Sequence, residues 1–155
     1  MTTIASDRKS MAADSQVSWD YHKGFKTPKL FRIGNSIYGL AGDNWGNVFI
    51  EWAKTGFNEK KKPQIHDSIW DDVDFDVLEL APTGLYLWDK HFVRVELKDD
   101  NYSIGSGSKF ALVFMRKMNM SPAEAVKECC TIDDYTKEPV DVMELKTDDK
   151  PTKKG

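Results

Sequence analysis

Residues 2–15, TTIASDRKSMAADS, carry the pattern that decides the fold of this chain. Small and apolar residues lie on either side of the polar segment DRKS at 7–10, which predicts two short strands joined by a tight turn. The first of these strands begins next to Met1. Thr2 is therefore expected at the very start of a strand, and what its hydroxyl can do depends on which residues the fold brings to that end.

A second hairpin and a helix are predicted next along the chain. The segment KLFRIGNSIYGLAG at 29–42 predicts two strands around a Gly34-Asn35 turn. After it, apolar residues recur at the spacing of one helical face, and Asp43 or Asn44 is expected to cap that helix. Two mainly polar segments predict loops, the second with one helical turn: 19–28 and 57–73.

The second half of the chain groups its strands and helices rather than alternating them. Strands are predicted at Phe75–Leu80, Gly84–Trp88 and Phe92–Lys98, helices at Lys109–Met118 and from a capping box at Ser121 to about Ile132, and a last strand at Pro139–Leu145. This grouping favours the α+β class. It permits two stacked antiparallel sheets with helices on both outer faces.

Length and composition narrow the class of protein. The 155 residues, 40% of them hydrophobic, support one packed core, so we expect one domain at 1–146 and a flexible polar tail at 147–155. The net charge of −3, with acidic and basic residues mixed, argues against a nucleic-acid partner. No apolar run reaches the roughly 20 residues that cross a bilayer, and the first residues, MTTIASDRK, lack the apolar core of a signal peptide, so we expect a cytoplasmic protein. The histidines and cysteines lack metal-ligand spacing, and neither a metal nor a cofactor is expected.

Six short motifs occur in a fixed order along the chain: TTIA at 2, AADS at 12, KLFRIG at 29, GLAGD at 39, IGSGS at 104 and DDYT at 133. Each is weak alone. In this order, the chain resembles the β-type subunits of proteasomes and the bacterial HslV peptidase, in particular compact bacterial or phage-borne members. The resemblance extends from Thr2 to about Leu145. It implies the N-terminal-nucleophile (Ntn) hydrolase fold, a four-layer αββα sandwich of two antiparallel sheets.

The resemblance also implies a catalytic threonine. Once Met1 is removed, Thr2 would supply the nucleophilic hydroxyl and, in its own α-amine, the base that takes the proton. A free α-amine has a pKa of about 7.7–8.0, and a fixed cation beside it favours the neutral, proton-accepting form. Lys29 matches the catalytic lysine of the family, and Asp14 would hold its ammonium group in place.

Further positions complete the implied site. Ser106, Asp133 and Thr136 match the residues that hydrogen-bond the N-terminal amine and orient it, with Thr136 where many members have serine. Gly42 matches the glycine whose backbone N–H forms the oxyanion hole. Leu40 falls in the wall of the S1 pocket, which implies a preference for apolar substrate side chains.

The resemblance finally implies partners, and it leaves two alternatives open. A homo-oligomeric ring, a hexamer or heptamer or two such rings stacked, would enclose polypeptide substrates delivered by an AAA+ unfoldase. The first hairpin is tighter than in most members, and the region after Gly56 is too short for the family's long second helix. The alternatives are an Ntn-type amidase with a small amide substrate, which needs no ring, and a non-catalytic shell or scaffold protein, which a retained Met1 would favour.

Overall fold

The computed structural model describes residues 2–15, 28–43, 45–64 and 71–146. The strands within them are β1 Thr3–Asp7, β2 Ser10–Ala13, β3 Leu30–Ile33, β4 Ser36–Gly42, β5 Phe75–Ala81, β6 Gly84–Trp88, β7 Arg94–Leu97, β8 Asn101–Gly105 and β9 Asp141–Glu144. The helices are α1 Gly46–Lys54, α2 Ser108–Lys117 and α3 Pro122–Ile132, with a 3₁₀ turn at Glu59–Lys61. None of these helices has the length and apolar character needed to cross a membrane.

The strands form two antiparallel sheets. The first sheet has the order β8-β1-β2-β9, and the second sheet has the order β3-β4-β5-β6-β7. In the first sheet, Ile4 of β1 lies opposite Ala13 of β2 and Ile104 of β8. β1 is therefore an inner strand, and Thr2, which precedes it, lies at the end of a strand that is paired on both sides.

Helices cover the outer faces of the sheets, and the inner faces pack on each other. α1 packs on the second sheet in a cluster that includes Phe49. α2 and α3 pack on the first sheet against small residues such as Ala5 and Ala12. A third cluster, which includes Ile4 and Leu78, joins the two sheets. The result is the predicted four-layer αββα sandwich.

The two sheets approach each other closely at Gly39. A Cβ atom there would lie 2.6 Å from Cγ2 of Ile4 and 2.7 Å from Sδ of Met11, closer than normal packing allows. A side chain at Gly39 would force the two sheets apart at Ile4, which is two residues along the chain from Thr2.

The predicted elements form. β6 has the predicted bounds, whereas β7 and β9 are shorter than predicted at both ends. The tight first turn is held by Asp7, whose Oδ1 accepts the N–H groups of Lys9 and Ser10 at 2.8 Å. The capping box at Ser121 is present, with its hydroxyl accepting the N–H of Glu124 at 3.2 Å. The predicted helical turn in 57–73 is the 3₁₀ turn. The predicted tail, and the predicted loop at 19–28 apart from Pro28, lie outside the described residues.

The start of α1 differs from the prediction. The N-cap position is Trp45, and no side chain caps it. Asp43 accepts the N–H of Trp45 at 2.9 Å and, through its other oxygen, the N–H of Asp74 at 2.8 Å. Its carboxylate therefore ties the end of β4 to the start of β5. Asn44, the alternative cap, lies outside the described residues.

Candidate active site

The backbone of Thr2 is fixed by the loop that follows β8. Its carbonyl oxygen accepts the N–H of Ser106 at 2.8 Å. The preceding residue, Gly105, has a φ of +96°, and a Cβ atom there would lie 1.7 Å from the same carbonyl oxygen. Only glycine permits both this conformation and this approach. Gly105, the first glycine of the IGSGS motif, therefore allows the backbone of Thr2 to pack against this loop.

Asp14 and Lys29 form a buried ion pair beside this end of β1. Nζ of Lys29 lies 2.9 Å from Oδ1 of Asp14, and the two side chains are 10% and 0% exposed. The same Oδ1 accepts the N–H of Thr3 at 2.9 Å, and Oδ2 accepts the N–H of Lys137 at 3.1 Å. The predicted pair is present, and it is tied to the strand that carries Thr2.

The tight first hairpin keeps Asp14 in register with the start of β1. The N–H of Asp14 donates to the carbonyl of Thr3 at 3.2 Å, so the two residues lie opposite each other.

Burial changes the proton affinity of Lys29. Desolvation lowers the pKa of its ammonium group, and the charge and hydrogen bond of Asp14 oppose this effect only in part. Lys29 consequently gives up its proton more readily than an exposed lysine does, while it still donates to Asp14. A lysine of this kind can act as a cation or take part in proton transfer.

Ser106, Asp133 and Thr136 form a connected network at the same end of the first sheet. Oδ2 of Asp133 accepts the hydroxyl of Ser106 at 3.0 Å and the hydroxyl of Thr136. Burial alone would raise the pKa of Asp133, but hydrogen bonds from Thr136, the N–H of Tyr135 and Ser106 outweigh it and lower that pKa. Asp133 is therefore held as a carboxylate that fixes both hydroxyls.

Thr3 is the residue that the sequence reasoning missed. Its hydroxyl lies 2.7 Å from that of Thr136 and accepts the N–H of Gly107 at 3.0 Å. Because Thr136 donates to Asp133, the proton between the two threonines must come from Thr3. The hydroxyls thus form a directed chain from Gly107 through Thr3 and Thr136 to Asp133.

The second glycine of the IGSGS motif, Gly107, leaves room for this chain of hydrogen bonds. A Cβ atom on Gly107 would lie 2.6 Å from Oγ1 of Thr3. A signal for Thr3 was available in the sequence: neighbouring residues of a strand face opposite sides, so if Thr2 faces one side, Thr3 must face the helices.

Gly42 and Leu40 occupy the end of β4. Gly42 has a φ of +113°, and a Cβ atom there would lie 2.4 Å from the carbonyl oxygen of Asp74, so glycine is required. Leu40 is 9% exposed and packs on the α1 side of the second sheet, where it excludes a side chain at Gly46. The oxyanion and S1 roles of these two residues stay predictions. Within the described residues, no group of three or more histidine, cysteine, aspartate or glutamate side chains could hold a metal ion.

The two antiparallel sheets and their helical covers are similar in fold to solved structures of HslV and BPH. HslV from Trypanosoma brucei superposes with a TM-score of 0.66 and 19% identity, covering 93% of this chain and 99% of that one. Thiobacillus denitrificans BPH superposes with a TM-score of 0.63 and 22% identity, over 94% of this chain and 98% of that one. BPH in complex with epoxomicin gives 0.62 and 23%, with the same coverage.

Sequence comparison adds nothing to this structural likeness. No protein-family model matches the chain, and no curated protein matches it. At these identities the solved structures establish the fold, and the predicted Ntn-hydrolase architecture is confirmed.

Proposed function

We propose that this chain is an N-terminal threonine peptidase, in which Thr2 is the nucleophile after removal of Met1. One observation carries the proposal: the Ser106 N–H holds the Thr2 carbonyl at 2.8 Å, and the next residue, Thr3, is hydrogen-bonded to Asp14 of the ion pair and to Thr136 of the network. Ile4 lies between the sheets, and the alternation of β1 extended by two residues directs the Thr2 side chain to the same side. The hydroxyl is then directed to the end of the inter-sheet space.

The proposed reaction is acyl transfer. The Thr2 hydroxyl attacks the carbonyl carbon of the substrate, and its proton passes to the free α-amine and then to the leaving amine. An ester with Thr2 remains, and water activated by the same α-amine releases the acid product. Lys29 supplies positive charge that keeps the α-amine neutral, and Asp14 positions Lys29.

The oxyanion and substrate pockets belong to the same proposal. The N–H of Gly42 would donate to the developing oxyanion, an interaction that contributes about 3–4 kcal/mol in enzymes of known mechanism. The rigid turn at Gly42, which no other residue can adopt here, supports that role. Leu40 would form the apolar wall of the S1 pocket.

Assembly and location complete the proposal. We propose a homo-oligomeric ring, hexameric or heptameric and single or stacked, in the cytoplasm, that receives polypeptide substrates from an AAA+ unfoldase. The fold shared with HslV supports this. Size-exclusion chromatography with light scattering tests it, because a ring has at least six times the mass of one chain.

The test of the activity combines intact-mass analysis with a covalent probe. Protein that lacks Met1 is expected to gain the mass of one epoxomicin on Thr2, and to hydrolyse fluorogenic peptides with apolar P1 residues. Thr2→Ala should lose both, with a drop in rate of more than about a thousandfold, while Thr2→Ser should retain part of the rate. Thr131→Ala, which removes a threonine hydroxyl from the exposed face of α3, is the matched control.

The outcome separates this proposal from its alternatives. Undiminished cleavage by Thr2→Ala would exclude Thr2 as the nucleophile. An epoxomicin adduct on a monomer that cleaves small amides and no peptides would favour an amidase. Protein that keeps Met1 and binds no probe would favour a scaffold.

A further inference from the structure

The second sheet ends at an edge strand with exposed apolar side chains. Within the described residues β7 pairs with β6 on one side and with no strand on the other. Val93 and Val95 are 51% and 52% exposed. An edge strand of this kind offers unpaired backbone N–H and C=O groups to another strand.

The register of β7 on β6 fixes which backbone groups are free. The carbonyl of Val93 accepts the N–H of Asp89 at 3.2 Å, and Val95 lies opposite Leu87. Because the backbone groups of alternate residues point to the same neighbour in an antiparallel ladder, those of Val93, Val95 and Leu97 point toward β6. The N–H and C=O groups of Arg94 and Glu96 therefore point outward.

We propose that β7 pairs antiparallel with β7 of a second copy of this chain, around a two-fold axis at Val95. In this register Arg94 of each chain lies opposite Glu96 of the other, and their outward N–H and C=O groups form the hydrogen bonds. On the other face Val95 meets Val95, and Val93 meets Leu97. Unlike charges face each other and apolar residues face each other, which stabilises cross-strand pairs. The two five-stranded sheets then form one continuous sheet.

The charges of β7 select this register over its neighbours. Two neighbouring symmetric registers also pair the outward N–H and C=O groups. One places Arg94 opposite Arg94, and the other places Glu96 opposite Glu96. Like charges directly opposite each other destabilise a strand pair. Arg94 and Glu96 are bound within the chain to Glu79 and Lys98, and their side chains remain 40% and 50% exposed, so each also presents its charge to a second copy.

The other described sheet edges are less suited to pairing with a second copy. β9 carries Asp141 and Glu144 as its charged residues, so symmetric pairing brings together acids or leaves them unmatched. On β8, the guanidinium of Arg116 donates to the carbonyl of Asn101 at 2.9 Å and occupies the edge. On β3, Arg32 donates to the carbonyl of Glu144 at 2.7 Å, across to the first sheet. β7 is thus the edge in the described structure whose charges complement a second copy of itself.

The register makes a specific crosslinking test possible. On the two-fold axis, Val95 of one chain lies beside Val95 of the other, within about 4.5–5.5 Å between Cβ atoms. Val93 lies opposite Leu97, so the two Val93 positions are about 13 Å apart along the strands. In a Cys130→Ser background, Val95→Cys should form a disulfide-linked dimer in a glutathione redox buffer, and the equally exposed Val93→Cys should not. Equal crosslinking at both positions, or none at Val95→Cys, would overturn the proposal.

A charge reversal provides the second measurement. Glu96→Lys turns both Arg94–Glu96 pairs into repulsive ones and should weaken self-association about tenfold, seen by sedimentation as a shift in the concentration dependence of the average mass. Glu144→Lys makes the same change in charge on β9 and should cause no shift. A wild-type chain that shows neither a Val95→Cys crosslink nor a response to Glu96→Lys binds no second copy at this edge, and the proposal is then wrong. Neither variant alters Thr2, so the outcome is independent of peptidase activity.

Discussion

Two buried carboxylates in this molecule, Asp14 and Glu79, are each paired with a cation, but the two pairs differ in their surroundings and in the pKa of the cation. Glu79 lies under the outer face of the second sheet and accepts hydrogen bonds from Ser36, Tyr38, Trp88 and Arg94. Its cation stacks on an aromatic ring, with Cζ of Arg94 3.5 Å from the centroid of Tyr86. Asp14 lies at the end of the first sheet and holds Lys29 together with the N–H groups of Thr3 and Lys137.

The difference lies in the cations. Partial burial alone would lower the pKa of Arg94, but the hydrogen bonds and charge of Glu79 raise it, so Arg94 keeps its charge at every working pH. Burial lowers the pKa of Lys29 in spite of Asp14. The Arg94–Glu79 pair, whose cation stays charged and packs on aromatic rings, is suited to stabilising the fold. The Lys29–Asp14 pair, whose cation has a lowered pKa and lies beside the end of a strand, is suited to proton transfer. The following predictions test this division of roles.

The largest effect is expected at Lys29. Lys29→Met removes the cation beside the chain start and should lower kcat for peptide hydrolysis about a thousandfold, a magnitude typical of groups that assist proton transfer. The peptidase assay measures it on protein whose folding circular dichroism confirms. Lys137→Met, which removes an exposed ammonium but keeps the backbone N–H that Asp14 accepts, should stay within about threefold of wild type. A Lys29→Met rate within tenfold of wild type would remove Lys29 from the mechanism.

The next effect is expected at Gly105. Gly105→Ala places a Cβ atom against the carbonyl of Thr2, so the chain start must move, and kcat should fall about a hundredfold. Gly34→Ala provides the matched control, since Gly34 also has a positive φ, +61°, but nothing lies within 4 Å of its Cβ position. That control should cost only about 1 kcal/mol of stability in urea unfolding and leave kcat unchanged. Equal kinetic losses in the two variants would show that backbone strain alone is responsible.

A smaller effect, on the stability of the fold rather than on kcat, is expected at Arg94. Arg94→Met leaves Glu79 buried without its cation, and because the Arg94 side chain is 40% exposed we expect a loss of about 2–3 kcal/mol, below the range for fully buried pairs. Urea unfolding measures the loss, and kcat of the folded protein in the peptidase assay should remain within about twofold. Arg94→Lys keeps the charge but loses the bidentate contact, and its free energy of unfolding should lie between those of the wild type and Arg94→Met. A kinetic defect without a loss of stability would contradict the structural role of this pair.

The smallest effect is a pH dependence of stability. Burial raises the pKa of the Cys129 thiol to about 12 from an ordinary value of 9.0. Between these values the unfolded chain loses the proton that the native chain keeps, so this group reduces stability as pH rises, by at most about 1.4 kcal/mol per pH unit. Lys29 acts in the opposite sense below its ordinary pKa, because its native form releases the proton first.

Comparison with Cys129→Ala isolates the thiol. Between pH 8 and 10.5 the wild type should lose stability in urea relative to this variant, since the other groups titrate alike in both proteins. A constant difference across that range would show that the thiol is not shielded from water.

Local signals explain how much of the fold could be predicted. The bounds of β6, the Gly34-Asn35 turn and the capping box at Ser121 depend on residues close together in the chain, and the structure has them as predicted. The start of α1 could not be read this way, because Asp43 is bound by the N–H of Asp74, 31 residues further on. β7 shows a further limit: its alternation was evident, but not that it lies at the edge of the sheet.

The site divides in the same manner. The residues that match family motifs, such as Asp14 and Lys29, are brought together by the fold. The role of Thr3 could not be predicted from the motifs, because its partners Gly107 and Thr136 are distant in the chain, although the strand period places its hydroxyl on the helix side of the sheet. The partners of Glu79 come from four separate positions on three other strands, and no pattern within β5 indicates them.

The bond from the Ser106 N–H to the Thr2 carbonyl has a practical consequence for expression work. Because it holds the main chain itself, a purification tag fused ahead of Thr2 would leave this anchor and the fold in place while converting the amine into an amide. Such a preparation would be folded by spectroscopic criteria, but in the proposed mechanism it would lack the free amine that acts as the base. An affinity handle should therefore be attached after Gly155, or be cut away to leave threonine first.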